Sequence, residues 1–292
     1  MELKLNPHLT PFNLEHTLQC GQVFRWKRYN DWNYGIVERH VFKVKQTKNT
    51  LEFRGVNLDF IMRYFRLDDN LPKIMAEVNR DSLIGQAIRT FSGLRIVRQS
   101  PWECLISFIC ATCKNIPSIK NVIHGLSNQF GEKISFDNRE FHTFPTPSAL
   151  AELSSQVLRD CKLGFRANFI RETAEIVDCG KMDFEALRDA DYQTAKEELL
   201  QLPGVGNKVA DCVLLFSLEK LEAFPVDIWM KRVFRNHYKK CFDMPFAKRL
   251  SGEQSLSSRD YDKISSFARR YFGKFAGYAQ EYLYYYERAK TV

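Results

Sequence analysis

At 292 residues and 34.2 kDa the chain is long for one small module and fits about two domains at roughly 150 residues each. A hydrophobic content of 45%, with 23 Phe and 12 Tyr, excludes disorder, collagen-like repeats and a disulfide-stapled miniprotein. The net charge of +8 is concentrated: residues 231–292 carry 14 Lys/Arg against 6 Asp/Glu, whereas residues 1–230 carry 29 of each. A basic excess confined to the last fifth points to a polyanion partner, and nucleic acid ranks ahead of membrane because no apolar span or lipidation signal accompanies it.

The N-terminus, MELKLNPHLTPFNLEHTL, has no apolar run behind a basic start, so an intracellular location is expected. Residues 22–29, 33–37, 41–46 and 51–56 are short, partly alternating and rich in β-formers, which predicts an antiparallel meander. From Asp59 the apolar spacing changes to three and four, and helices are expected over 102–113, 116–129, 147–153, 166–178, 192–200, 207–217, 227–239, 259–271 and 274–289. The stretch 135–147 reads as the clearest loop. Strands gathered at one end define an α+β fold with a sheet domain over 1–98 and a helical body over 99–292. The eight cysteines follow no paired rhythm, and Cys110 and Cys113 read as core thiols on a buried helix; no metal ligand set is expected.

Chemistry concentrates in LLQLPGVGNKVADCV, residues 199–213. Pro203, Gly204 and Gly206 end one helix and start another within a few residues, giving a helix-hairpin-helix over about 192–217. Its glycines permit unusual backbone angles, and the second helix offers unpaired N–H groups to a phosphate. Such a hairpin grips a DNA backbone without reading sequence; an ordinary tight helical connection is the plainer alternative. Lys208 has two readings: a cation that touches phosphate, and a nucleophile. Its small or apolar neighbours Val205, Val209, Ala210, Cys212 and Val213, with the positive helix end, favour a neutral amine able to attack carbon. Asp227, after Pro225, reads as an N-cap held ionised by N–H bonds, and can also stabilise a cationic sugar transition state if the fold brings it beside Lys208.

LPGVGNKVADC (202–212) and PVDIWM (225–230), together with CGQVFRW (20–26) and FAGYAQEYLY (275–284), resemble the helix-hairpin-helix DNA glycosylases and specifically the 8-oxoguanine DNA glycosylase family. The four segments occur in the expected order and span nearly the whole chain. The resemblance implies a bifunctional glycosylase in which Lys208 forms a Schiff base with deoxyribose C1′ and Asp227 supports the transition state and proton shuttling. It implies that Gly21 offers its carbonyl to N7–H of the lesion, that Gln280 bonds the Watson–Crick edge, and that Cys212 and Tyr284 sandwich the flipped base. Phe165 matches an aromatic wedge and Arg166 a contact to the orphaned base, while Gly204, Val205 and Gly206 meet the DNA backbone. The implied partner is double-stranded DNA containing 8-oxoguanine, with no cofactor, no membrane and a monomer as default.

Departures from the family pattern are local. Cys113 and Ser118 stand where an asparagine and an arginine read the opposite cytosine; Asn115 is the nearby candidate substitute, and a relaxed opposite-base preference is expected. Trp229 replaces a common histidine. Only Cys241 follows Asp227, so the four-cysteine iron–sulfur cluster of the endonuclease III-like branch cannot be built. The rival reading from another class is a non-catalytic hairpin module whose Lys208 only touches phosphate; a closer rival keeps the mechanism and changes the lesion.

Overall fold

The computed structural model describes residues 1–252 and 254–290. Strands β1 (Glu2–Lys4), β2 (Lys27–Tyr29), β3 (Trp32–Val37), β4 (His40–Thr47) and β5 (Thr50–Arg54) form one antiparallel sheet in the order β1-β5-β4-β3-β2. Tight turns set the register. Val37 pairs with His40 and Thr47 with Thr50, and Glu38 and Lys48 take φ of 55° and 52°, matching the twist that short hairpins require. Phe42 and Val44 on β4 and Leu51 and Phe53 on β5 pack with Ile61, Tyr64 and Phe65, in and just after the helix Leu58–Tyr64. Truncating one such side chain to alanine costs about 2–5 kcal/mol.

Among the strands and loops, three stretches differ from the sequence reading. The run 22–29 is strand only from Lys27, because the residues before it wedge between sheet and body: Gln22, Val23, Phe24 and Arg25 are all buried. Strand β1, absent from that reading, is too short to carry a period and is held by pairing with β5. The expected loop 135–147 instead contributes to a hairpin, β6 (Lys133–Phe136) and β7 (Arg139–His142), turning at Asp137 and Asn138 with φ of 54° and 55°. This hairpin docks on the sheet: Phe141 stacks on Tyr34 at 5.9 Å, and Asp137 accepts from the Tyr34 hydroxyl and, at 2.6 Å, from Lys43. Its polarity hides an element whose stability comes from that docking.

The body is helical and shares one large core. The helix Pro101–Ala111 is buried without a break from Cys104 to Cys110, and it packs against Asn207–Ser217, buried from Val209 to Ser217. The last helix, Ala276–Ala289, buried from Ala276 to Leu283, lies against Ser82–Thr90 and Ile228–Val233. Residues 71–96, placed by the sequence with the sheet domain, thus supply much of their apolar surface to the body core. Cys113 corrects the core-thiol reading: it is exposed, beyond the helix end, with φ of 54°, whereas Cys110 is buried as expected. Sheet side and body are tied by Arg66 and Arg98, which reach Glu219 at 2.7 and 3.2 Å.

Candidate active site

The hairpin forms from Tyr192–Leu200 and Asn207–Ser217. Between them Gly204 takes φ of 77°, and a Cβ there would stand 2.8 Å from the Phe169 side chain, so both backbone angle and space demand glycine. Gly206 is different: at φ −101° and ψ 180° it is ordinary extended backbone, with nothing within 4 Å of an added Cβ. Val205 is buried. No side chain caps the second helix, so its first-turn N–H groups point out at the hairpin tip.

Lys208 sits in that first turn, half-buried, with its ammonium 4.7 Å from the centre of the Phe108 ring. Phe108 is itself stacked on Phe216, one face of the hairpin helix. The amine is therefore folded back over an apolar wall and not extended as a surface cation. One turn on, Cys212 is buried, and burial pushes its thiol up to about 12 against the pull of Lys208. An uncharged thiol at this position is a small apolar wall and not a competing nucleophile.

Asp227 caps the helix Ile228–Val233, its Oδ1 accepting from the Trp229 and Met230 N–H groups at 3.0 and 2.9 Å. The capping expectation is met, and burial raises the carboxyl pKa above its ordinary value, opposed by the Met230 N–H and by Lys208. Lys208 and Asp227 are thus electrostatically coupled across the site. A carboxyl poised upward by burial is suited to moving a proton as well as to facing a cation.

Gly21 brings the sheet side to the last helix. Its φ is 113°, and an added Cβ would stand 2.7 Å from Arg288 Nη1 and 3.3 Å from the Tyr284 ring and hydroxyl. Arg288 Nη1 donates to the Cys20 carbonyl at 2.7 Å and lies 3.3 Å from the Tyr284 hydroxyl, while Nη2 reaches Gln19 O. Gln22 pins the same loop from beneath, donating to Thr17 O at 2.9 Å and Arg95 O at 2.8 Å and accepting from Val97 N–H at 2.8 Å. Gln280 is buried, and its Oε1 has no hydrogen-bond partner among the described residues. Glu281, beside it, is also buried with an unpartnered Oε1; burial pushes its carboxyl up to about 7, against a hydrogen bond with Cys20 and the pull of Arg288. Sequence reasoning passed over Gln22, Glu281 and Arg288. Gln22 lies inside the recognised CGQVFRW segment and Arg288 one turn beyond Tyr284, so both carried a positional signal; Glu281 carried none.

The raised Glu281 pKa has a thermodynamic consequence. The folded state holds this proton more tightly than the unfolded chain, so stability falls as pH rises from the ordinary glutamate range to about 7 and is level above it. Urea unfolding at pH 5 and pH 8 should therefore show a stability loss on the order of 2 kcal/mol in the parent that Glu281→Gln does not share. Equal losses in both proteins would contradict the assignment.

The remaining expected contacts are dispersed. Phe165 is 62% exposed, as a wedge must be. Arg166 is not: it turns inward, donating to Thr112 O and stacking 4.3 Å over the Phe165 ring. A contact to an orphaned base requires it to leave these partners. Asn115 caps the helix Ile116–Phe130, its Oδ1 accepting from the Ser118 N–H at 2.9 Å. Part of the basic tail is engaged within the chain: Arg269 lies 3.5 Å over the Tyr192 ring, Arg249 pairs with Asp260 at 2.8 Å, and Lys263 pairs with Asp243. Lys239, Lys240, Lys248, Arg259, Arg270 and Lys274 are exposed.

An amine and a carboxyl coupled across a helix-hairpin-helix define a class of base-excision enzymes, and residues 106–240 match the family described as HhH-GPD superfamily base excision DNA repair protein. Residues 4–105 match the 8-oxoguanine DNA glycosylase N-terminal domain. The N-glycosylase/DNA lyase of Saccharomyces cerevisiae is 31% identical over 93% of this chain and 82% of its own length, and N-glycosylase/DNA lyase OGG1 of Arabidopsis thaliana is 28% identical over 94% and 77%. The Clostridium acetobutylicum 8-oxoguanine glycosylase/lyase, solved with double-stranded DNA containing cytosine opposite 8-oxoguanine, superposes with a TM-score of 0.85 at 32% identity, covering 96% of this chain and 93% of that one. The chain belongs to the 8-oxoguanine DNA glycosylase family, the N-glycosylase/DNA lyases.

Proposed function

We propose that the protein excises 8-oxoguanine from duplex DNA and then nicks the abasic strand on its 3′ side. The observation that carries this reading is the placement of the Lys208 amine over Phe108, folded back from the surface, with its charge acting on the Asp227 carboxyl. The Lys208 amine, its proton passed to Asp227, attacks deoxyribose C1′ as the N-glycosidic bond breaks, the bonding electrons leaving with the base. Asp227 offsets the positive charge that builds on the sugar and carries protons between the amine, the departing base and the ring oxygen. Opening of the sugar gives a Schiff base at C1′. Loss of a C2′ proton then expels the 3′ phosphate, which is the β-elimination nick.

Selectivity falls to the groups around Gly21. The Gly21 carbonyl accepts from N7–H, a proton that guanine lacks, and the unpartnered Gln280 Oε1 is one end of an amide that meets the Watson–Crick edge. Cys212 and Tyr284 provide the two flat walls that replace lost stacking, and burial keeps both in their neutral forms. Gly204, Val205 and Gly206 hold the phosphates through backbone N–H groups, and Phe165 fills the gap left by the extruded base. The chain works as an intracellular monomer on this reading, since one chain carries every group named.

The test is single-turnover excision on duplexes containing 8-oxoguanine, undamaged guanine or another oxidised purine. Rapid release from 8-oxoguanine alone is the expected result, and equal rates on a different lesion would overturn the substrate assignment. Opposite the lesion, Cys113 and Ser118 supply no match to the reading groups, and the Asn115 oxygen is used as a helix cap. Rates with C, A, G and T opposite should therefore agree within about tenfold, or about 1.4 kcal/mol of discrimination. A steep preference for C would contradict this.

A further inference from the structure

Tyr261 lies on the helix Ser258–Phe272 and is 5% exposed. Its hydroxyl touches both chemical segments at once. It donates to Asp211 Oδ2 at 2.5 Å, accepts from the Val226 N–H at 3.2 Å, and stands 3.3 Å from Asn207 O. Asn207 and Asp211 flank Lys208 on the hairpin helix, and Val226 immediately precedes Asp227. Asp211 is fully buried and is further held by the Tyr192 hydroxyl at 2.6 Å and by Lys196 at 3.4 Å. The carboxylate is thereby fixed from three sides, which turns the Tyr261 oxygen into a rigid post.

We infer that Tyr261 is a positioning residue for the excision reaction, a clasp that fixes the hairpin helix bearing Lys208 against the segment bearing Asp227. The two segments are joined by the loop 218–227, in which Glu219 takes φ of 61°, and regular secondary structure does not set their separation. Nucleophile and carboxyl must hold a reacting carbon between them, and a displacement of about 1 Å costs on the order of a hundredfold in rate. The hydroxyl touches no substrate; it acts only through the placement of the pair. Tyr192 shares Asp211, and its further polar partners Lys196 and Arg269 lie outside the Asp227 segment, so it serves as the internal control.

The inference rests on the reading of Lys208 and Asp227 as the reacting pair, and the experiment separates the two. Single-turnover excision and DNA affinity are measured for the parent, Tyr261→Phe and Tyr192→Phe, with thermal unfolding alongside. The clasp predicts a 10- to 100-fold lower rate constant for Tyr261→Phe with DNA affinity within about twofold, and a rate within about threefold of the parent for Tyr192→Phe. Tyr261→Phe leaves the buried Asp211 carboxylate one bond short. The comparison is therefore repeated on an Asp211→Asn background, where no carboxylate is left short of a donor and Lys196 keeps Asp262 at 3.9 Å, and the same loss is expected on removing the hydroxyl. An inactive parent sinks the reading of the pair. An active parent with an unimpaired Tyr261→Phe, or with equal losses in the two phenylalanine variants, overturns the clasp alone.

Discussion

Lys208→Gln lowers 8-oxoguanine release by about a thousandfold or more and leaves no covalent adduct when the reaction is quenched with borohydride. The effect is expected to be this large because glutamine is an uncharged polar side chain one bond shorter than lysine, and its delocalised amide nitrogen cannot attack C1′. DNA affinity should change little, since the phosphate contacts are proposed for the uncapped hairpin N–H groups and not for this half-buried amine. Gel-shift and single-turnover assays on the same duplex make the distinction. A variant that binds poorly but turns over bound substrate at the parental rate would restore the alternative in which Lys208 only touches phosphate.

Gly21→Ala is expected to separate the two activities. At φ of 113° an L side chain is strained, and its Cβ would press on Arg288 Nη1 at 2.7 Å and on Tyr284 at 3.3 Å. The neighbouring Cys20 carbonyl is fixed by Arg288 and the loop below by Gln22, so the backbone has little room to give. Damage therefore falls on the surface that recognises the base: excision should drop at least about a hundredfold. Nicking of a preformed abasic duplex needs Lys208 but no base, and it should stay within about fivefold of the parent. Equal loss of both activities would mean that the substitution disturbs the amine, against the division of labour described above.

Much of this arrangement was legible in the residues. LPGVG and the following lysine located the hairpin, and PVD placed a capping aspartate, because helix starts and glycine turns leave local marks. The helical body and the β3–β5 meander followed from periodicity. What escaped depended on contacts distant in sequence. The β6–β7 hairpin is stabilised by docking onto Tyr34 and Lys43, about a hundred residues away. Arg166 matched a contact to the orphaned base, but the Thr112 carbonyl draws it inward. The Asp227 carboxyl carries its capping bonds as expected, yet its burial comes from neighbours that only the fold supplies. Tyr261 and Glu281 likewise sit at helical positions that read as packing, and their polar atoms gain meaning only where the last two helices meet the hairpin and the Gly21 loop.

The central claim is that one particular amine performs the chemistry, and it is tested most directly by locating the bond. The parent protein is incubated with an 8-oxoguanine duplex, reduced with borohydride and digested, and the peptide carrying the sugar is identified by mass spectrometry. The account predicts a single modified site at Lys208, formed in step with base release. Modification of the N-terminal amine or of another lysine, or base release with no trapped sugar at all, would contradict it.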